Sequence, residues 1–338
     1  MFFKKALFCY LNKNTVAARK IATKREVCEI RIPVQWGHVA GKWWGPRDKR
    51  PILALHGWQD NAGTFDRLIP YLPFETPVLA IDAPGHGLSS QIPHGMTYHG
   101  TDILRLLYEI VRFFEWSKVS FLGHSMGAIL SALFTVHFPD LVDFIICIDN
   151  LKPLSLRENA KDLEANVKEM ELFIKYNQLN SSALQPPVYT WEDCVKNLSE
   201  GSKGSVSIES CKYLLYRNLK ESQTEPNKFY FTRDPRIKAM NVSKINQTQS
   251  VEYYKRIICP ILVLKADKSP YDRNKEKFFE VLEVVKKSSR GCKFFYVPGT
   301  HHVHLNNPEV VEGHINDFLK IYDTGNRGGI PLKKEIFL

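Results

Sequence analysis

Long apolar runs and paired cysteines are both missing from this sequence of 338 residues. No run of apolar residues approaches the length that a transmembrane helix needs, so we expect no stable membrane span. No Cys-x-x-Cys pair occurs, and an odd count of seven cysteines does not suit a disulfide framework. These absences predict a protein of a reducing, intracellular compartment.

Acidic residues are missing from residues 1–25, although this stretch holds seven lysines and arginines. It supplies much of the net charge of +10, and the rest of the chain has no basic cluster of the kind that nucleic acid binding requires. A basic, acid-free segment with interspersed apolar residues is typical of a mitochondrial presequence, or it is a plain basic tail. We therefore expect residues 1–26 to precede the folded domain and the compartment to be mitochondrial, cytoplasmic or peroxisomal.

Short apolar runs alternate with helical stripes over residues 27–150 and again over 259–323. This alternation predicts an α/β fold with a mostly parallel eight-stranded sheet and helices on both faces. Residues 151–258 are polar and irregular, with helical stretches and no apolar strand pattern. They predict a helical cap inserted after the sixth strand. We expect residues 324–338 to form a poorly ordered tail.

The strongest chemical motif is Gly123-His124-Ser125-Met126-Gly127, which matches G-x-S-x-G between an expected strand and an expected helix. A sharp turn at this point lifts the Ser125 hydroxyl clear of the sheet, and the flanking glycines avoid clashes with neighbouring backbone. The start of the helix adds N–H groups and a partial positive charge. Ser125 is therefore the candidate nucleophile, unless the turn only preserves the shape of an inactive relative.

A nucleophilic serine needs a base, and Thr300-His301-His302-Val303-His304 follows the last expected strand. A neutral imidazole in this loop can take the serine proton and return it to the leaving group. From the residues alone His301 and His302 both qualify, and two of the three histidines are expected to be structural.

Two N–H donors are needed for the oxyanion that forms during acyl transfer. The backbone of Met126, directly after the nucleophile, is the first candidate. The second should come from the loop after the PILALHG strand, and we assign it to the backbone of Trp58. Gly57 lets the backbone approach the site closely.

In combination these motifs resemble the α/β-hydrolase fold enzymes over residues 29–322, apart from the cap. The stretches that carry the resemblance are His56-Gly57-Trp58, Asp82-Ala83-Pro84-Gly85-His86-Gly87-Leu88-Ser89, Gly123-His124-Ser125-Met126-Gly127 and residues 297–309. The cap stretches Phe231-Thr232-Arg233-Asp234-Pro235-Arg236 and Thr190-Trp191-Glu192-Asp193-Cys194 resemble the serine hydrolase-like, Kraken-type proteins of animals.

The resemblance implies which histidine is the base. In this fold the catalytic histidine usually lies seven residues before a proline, and counting back from Pro308 gives His301. Asn306 stands where the family commonly has glutamate, which should not affect the chemistry. A serine nucleophile separates the chain from the similar haloalkane dehalogenases and epoxide hydrolases, which use aspartate at this position.

The acid of the triad is missing from its usual place. The family most often has it three residues after a glycine that ends the penultimate strand, and here Ala266 and Ser269 occupy those two positions. Three aspartates remain open. Asp272, reached by a lengthened loop, is preferred, and Asp267 and Asp149 are the alternatives, the last because some relatives place the acid after the sixth strand.

The motifs together predict a serine hydrolase of carboxylesterase type, with thioesters as close alternatives, that needs no metal or cofactor. We expect a small lipophilic ester or acyl substrate, with cap aromatics at residues 229–231 and 253–254 as candidate lining. We expect Arg233 and Arg236 either to bind a substrate anion or, more simply, to join the cap to the core. A catalytically silent ligand-binding or partner-binding protein is the rival hypothesis, and a carbon–carbon bond hydrolase is a third.

Overall fold

A computed structural model describes five stretches of the chain, which are residues 25–153, 160–181, 186–242, 245–271 and 275–324. The proposed presequence, apart from Arg25 and Glu26, lies outside these residues, as do the C-terminal tail from residue 325 and Asp272. Among the described residues, none of the helices combines the length and apolarity that crossing a membrane requires.

Eight strands form one sheet, in the order β1-β2-β4-β3-β5-β6-β9-β10. β2 runs antiparallel to its neighbours β1 and β4, and all other neighbouring pairs are parallel. The strands are β1 (Val27–Val34), β2 (Gly37–Trp44), β3 (Ile52–Leu55), β4 (Val78–Ile81), β5 (Val119–His124), β6 (Val142–Ile148), β9 (Ile261–Ala266) and β10 (Cys292–Val297). A separate hairpin joins β7 (Leu219–Glu221) and β8 (Phe229–Phe231). The predicted α/β-hydrolase architecture of the sheet is confirmed.

Helices cover both faces of the sheet, which explains why every residue of β3, β4, β5 and β9 is buried. The helices are α1 (Gly100–Phe113), α2 (Met126–His137), α3 (Ala160–Ser181), α4 (Trp191–Gly201), α5 (Ile208–Asn218), α6 (Gln247–Tyr254), α7 (Lys275–Ser288), α8 (Val303–Asn306) and α9 (Glu309–Tyr322). One core cluster unites α1, α2 and α7 with the sheet, and a second lies under α9.

Residues 61–72, NAGTFDRLIPYL, have a polar start and an apolar pattern that predict a helix, but the structure does not contain one there. The stretch forms two short 3₁₀ turns, Ala62–Phe65 and Ile69–Tyr71. A Cβ on Gly63 would lie 2.1 Å from a backbone carbonyl oxygen of α5, so the chain is pressed directly against that helix. Pro70 at the start of the second turn lacks the N–H that a continuous helix would use.

The segment between β6 and β9 holds α3 to α6 and the β7–β8 hairpin. Its Arg217, at the end of α5, donates 3.2 Å and 2.7 Å hydrogen bonds through Nε and Nη2 to the carboxylate of Asp82, directly after β4. The same guanidinium reaches Glu29 in β1. Both Asp82 and Arg217 are buried, so this ion pair fastens the inserted segment to the sheet.

A tight turn joins β5 to α2, and its geometry depends on two glycines. A Cβ on Gly127 would lie 1.9 Å from the carbonyl oxygen of Leu55 in β3, and one on Gly123 would lie 2.4 Å from the backbone nitrogen of Ala128. The first turn of α2 is therefore held against β3 at a distance that only glycine permits.

We predict that Arg217→Met lowers the free energy of unfolding by about 3–5 kcal/mol, because it leaves the carboxylate of Asp82 buried without its partner. Arg105→Met is the matched control: this exposed arginine lies 3.5 Å from Asp102 and 3.6 Å from Glu109 on α1. Its loss should cost about 0.5 kcal/mol or less. Urea denaturation measures both, and similar losses in the two variants would contradict a fastening role for Arg217.

Two glycine-to-alanine substitutions should change stability in opposite directions. Gly127→Ala must push α2 away from β3 and should cost about 1–3 kcal/mol or more. Gly313→Ala lies in the exposed middle of α9 with open space around the new methyl group, and should stabilise by about 0.5–1 kcal/mol. Thermal denaturation gives the sign of each change, and a neutral Gly127→Ala would mean that the turn does not need glycine.

Candidate active site

Ser125 occupies the turn between β5 and α2 with φ of 52° and ψ of −113°. Positive φ is unusual for a residue with a side chain, and it is the backbone strain expected of a nucleophile elbow. The backbone N–H of Ser125 donates to the carbonyl of Ile148 at 3.0 Å, which ties the turn to the end of β6. The hydroxyl group lies at the wall of a cavity of about 510 Å³.

His301 follows β10 and lines the same cavity, although the residue is only 5% exposed. Its Nδ1 is hydrogen-bonded to Oδ2 of Asp149, which directly follows β6. Asp149 has φ of 59°, and its backbone N–H donates to the carbonyl of Leu264 in β9 at 2.7 Å. This bend aims the carboxylate across the end of β9 toward the histidine loop.

Three further groups contact the Asp149 carboxylate, and all come from β9 and the loop after it. The backbone N–H of Ala266 donates to Oδ1 at 2.9 Å, the Ser269 hydroxyl donates to Oδ2, and Lys265 Nζ lies 3.2 Å from Oδ1. Burial alone would raise the pKa of Asp149, but His301, Lys265 and Ser269 hold it below its ordinary value. The carboxylate is therefore ionised and fixed in position.

Because an ionised carboxylate can only accept, Nδ1 of His301 carries the proton and donates it to Asp149. The other ring nitrogen, Nε2, then has a free lone pair, which is the form that a general base needs. Burial lowers the pKa of His301 to about 4, against the opposing effect of Asp149. The imidazole is thus neutral at physiological pH.

Of the three aspartates left open by the sequence, Asp149 is the one whose contact with His301 the structure describes. Asp267 instead accepts a 2.8 Å hydrogen bond from the backbone of Gly299. Asp272, the preferred candidate, lies outside the described residues. Ser269, which occupies the usual place of the acid, serves Asp149 as a hydrogen-bond donor.

The two expected oxyanion donors belong to segments that follow two different strands at the carboxyl edge of the sheet. Met126 is the first residue of α2, where backbone N–H groups have no partner within the helix. Trp58 follows β3 in a loop that lines the cavity. Two buried histidines brace this loop: His56 Nδ1 donates to the Gly57 carbonyl at 2.7 Å, and His86 Nε2 accepts from the backbone of Gln59 at 3.2 Å.

A group that the sequence did not single out is Asp60, which is buried in the wall of the same cavity. His302 Nε2 lies 3.2 Å from its Oδ2, and His124 Nδ1 lies 3.4 Å from the same oxygen. His304, the third histidine of the loop, is buried against Thr64. The signals available in the sequence were the aspartate after His-Gly-Trp-Gln and the density of histidines, but neither indicates a contact between them.

The two cap arginines have different surroundings. Arg236 is buried in an ion pair with Asp234 and donates to backbone carbonyls of Ile92, Pro93 and Met96 in the core. It therefore joins the inserted segment to the core, as the simpler expectation had it. Arg233 lines the cavity and donates to the Gln59 carbonyl at 3.0 Å.

Aromatic and aliphatic side chains supply much of the wall of the cavity that Ser125 lines. They are Trp58, Tyr189, Leu198, Val206, Phe231 and Tyr271. Of the expected cap aromatics, Phe231 is the one that lines this cavity. Tyr254 is instead buried in the core, where its hydroxyl donates to the Leu151 carbonyl at 2.9 Å.

Comparison with known proteins agrees with this architecture. The α/β-hydrolase fold family matches residues 50–185. A probable serine hydrolase of Drosophila melanogaster is 36% identical over 86% of this chain and 87% of its own length, and a serine hydrolase-like protein of Danio rerio is 33% identical over 88% and 90%. The crystal structure of a hypothetical protein from Pseudomonas aeruginosa, 26% identical, superposes with a TM-score of 0.73 over 88% of this chain and 99% of that one. The chain belongs to the α/β-hydrolase fold family and, within it, to the serine hydrolase-like proteins.

Proposed function

We propose that this protein is a serine hydrolase that cleaves a carboxylic ester, or a thioester, through an acyl-enzyme formed on Ser125. The observation that carries the proposal is the hydrogen bond from His301 Nδ1 to Asp149, since it leaves the base in the right tautomer in the same cavity as a strained serine. We assign the roles of nucleophile, base and acid to Ser125, His301 and Asp149, in that order.

In the proposed reaction, His301 Nε2 removes the proton of the Ser125 hydroxyl as its oxygen attacks the acyl carbon. The imidazolium that forms is stabilised by Asp149, which stays ionised throughout. The proton then passes to the departing alcohol or thiol. A water molecule attacks the acyl-enzyme in the same way, and Ser125 regains its proton through His301.

Negative charge develops on the carbonyl oxygen during both attacks, and we assign its stabilisation to the backbone N–H groups of Met126 and Trp58. The N-terminus of α2 adds a partial positive charge at this point. A donor of this kind is worth about 3 kcal/mol of transition-state stabilisation. The hydrogen bonds of His56 and His86 support this role, because they fix the loop that carries Trp58.

We further propose that the segment between β6 and β9 acts as a cap that selects the acyl group. The aromatic wall, with Phe231 and Tyr189 from this segment, suits a small lipophilic acyl chain. Arg233 of this segment is half-buried and lines the cavity, and burial lowers its pKa to about 10, which still leaves it charged.

The rival hypothesis of a silent binding protein was favoured by one sequence feature, the displaced acid. The contact between Asp149 and His301 removes that reason, because a carboxylate after β6 can orient the base as well as one after β9. The hydrolase is therefore the function that the geometry supports best.

Labelling with a fluorophosphonate probe tests the assignment. We expect wild type to react and Ser125→Ala to show no labelling. Asp149→Asn should reduce the labelling rate by up to about 10⁴-fold, because a wrong histidine tautomer has an effect of that size. Asp267→Asn is the matched control, since its carboxylate contacts Gly299 rather than the base, and it should label nearly as fast as wild type.

Asp272→Asn completes the comparison. A large loss of labelling in Asp272→Asn with little loss in Asp149→Asn would contradict the assignment of Asp149 and identify Asp272, in the loop after β9, as the acid. Wild-type protein that is folded by circular dichroism but does not label would contradict the hydrolase itself.

A further inference from the structure

Asp60, His124 and His302 form a compact group in the wall of the active-site cavity. All three are buried, and one ligand-type atom from each lies within 4.8 Å of the others. His302 Nε2 is 3.2 Å and His124 Nδ1 is 3.4 Å from Asp60 Oδ2. The proposed hydrolysis uses none of these side chains, so their arrangement needs another explanation.

The hydrogen bond on the far side of His124 fixes which of its nitrogens carries a proton. Nε2 lies 2.9 Å from the backbone carbonyl oxygen of His301, which can only accept, so Nε2 donates. In the neutral ring Nδ1 then has a lone pair, and this lone pair faces the carboxylate of Asp60. Two acceptors facing each other in a buried site are unfavourable unless a cation lies between them.

Among the described residues, His124 Nδ1 has no hydrogen bond of good geometry, and it lies 3.4 Å from Asp60 Oδ2. A metal ion shared by the three side chains would satisfy both of these atoms. In a tetrahedral site with metal–ligand bonds of 2.0–2.1 Å, neighbouring ligand atoms lie about 3.3 Å apart and each lone pair points about 35° away from the neighbouring ligand. The separations of 3.2 Å and 3.4 Å match this spacing.

The remaining nitrogens of both histidines have the partners typical of metal ligands, which donate their other N–H to a carbonyl or another acceptor. For His124 the acceptor is the His301 carbonyl. For His302 the partner is the Ser205 hydroxyl, 2.7 Å from Nδ1, which can accept this N–H. Nε2 of His302 then faces the carboxylate of Asp60, on the side where a shared cation would lie.

Space for an ion is kept by Gly57. A Cβ at this position would lie 2.9 Å from Asp60 Oδ2 and 2.9 Å from His124 Nδ1. Any other residue would therefore fill the region that these two ligand atoms border. The cavity with Ser125 opens on the same side.

We propose that Asp60, His124 and His302 bind one divalent transition metal ion of the zinc class. Two imidazoles and one carboxylate are a ligand set that zinc accepts, with a fourth position left for water or a ligand from the cavity. The ion is not part of the acyl transfer proposed above. It would place a fixed positive charge in the wall of the substrate cavity.

Zinc binding to the purified full-length protein, measured by competition with a chromophoric chelator, tests this proposal. Wild type should bind one equivalent. His124→Gln retains a donor for the His301 carbonyl but removes Nδ1, and His302→Asn retains a donor for Ser205 but removes Nε2. Each should weaken binding by more than about 100-fold, and Ser205→Ala, which loses only the outer contact, by about 10-fold.

Two controls separate this site from other zinc ligands. Ser207→Ala, two residues from Ser205 and bonded to Ser210 instead, should bind zinc like wild type. Absorption of the Co²⁺-loaded protein should show nitrogen and oxygen ligation without a thiolate charge-transfer band, which excludes the cysteines. Circular dichroism checks that each variant is folded. If a ligand variant does not fold, the affinity of Ser205→Ala for zinc provides the test instead. No zinc binding by wild type, or equal affinity in wild type and the folded His124→Gln and His302→Asn variants, would overturn the proposal.

Discussion

The buried ion pair between Arg217 and Asp82 is the contact on which the rest of the site depends. Asp82 directly follows β4 at the carboxyl edge of the sheet, and Arg217 lies in the last turn of α5 in the inserted segment. Such a pair adds little net stability over an apolar contact. Breaking it is nevertheless costly in free energy, because it leaves a buried charge without a partner. It therefore fixes where the segment sits, and the cavity over Ser125 exists because the segment sits there.

At the carboxyl edge of the sheet, residues far apart in sequence come together because parallel strands all end on the same side. The loops after β3, β5, β6 and β10 supply Trp58, Ser125, Asp149 and His301. Each loop leaves its strand through a strained or glycine-dependent turn, seen in the positive φ of Ser125 and Asp149. The strands hold these turns in place, and β3 and β5 are buried along their whole length.

The sequence alone predicted the sheet, the inserted segment, the serine turn and the histidine loop, because each is a local pattern of a few residues with a clear period or motif. The contact partner of His301 was harder to find. It depends on a left-handed backbone at Asp149 and on the register between β6 and β9, and neither is encoded in a short stretch. The 3₁₀ turns near Gly63 were not predicted for the same reason, because they result from packing against α5, which is distant in sequence.

The carboxylate that contacts His301 belongs to Asp149, after β6, and this changes the role of the loop after β9. In this arrangement Ser269 contributes only a hydroxyl contact, while Pro270 and Tyr271 line the cavity and the tyrosine ring lies 4.5 Å from that of His301. Under the proposed assignment of Asp149 as the acid, the described part of this loop contacts the acid and lines the cavity. With the proposed acid, Asp149, held in the interior, substitutions in the rim residues Pro270 and Tyr271 alter the cavity wall without displacing the proposed catalytic groups.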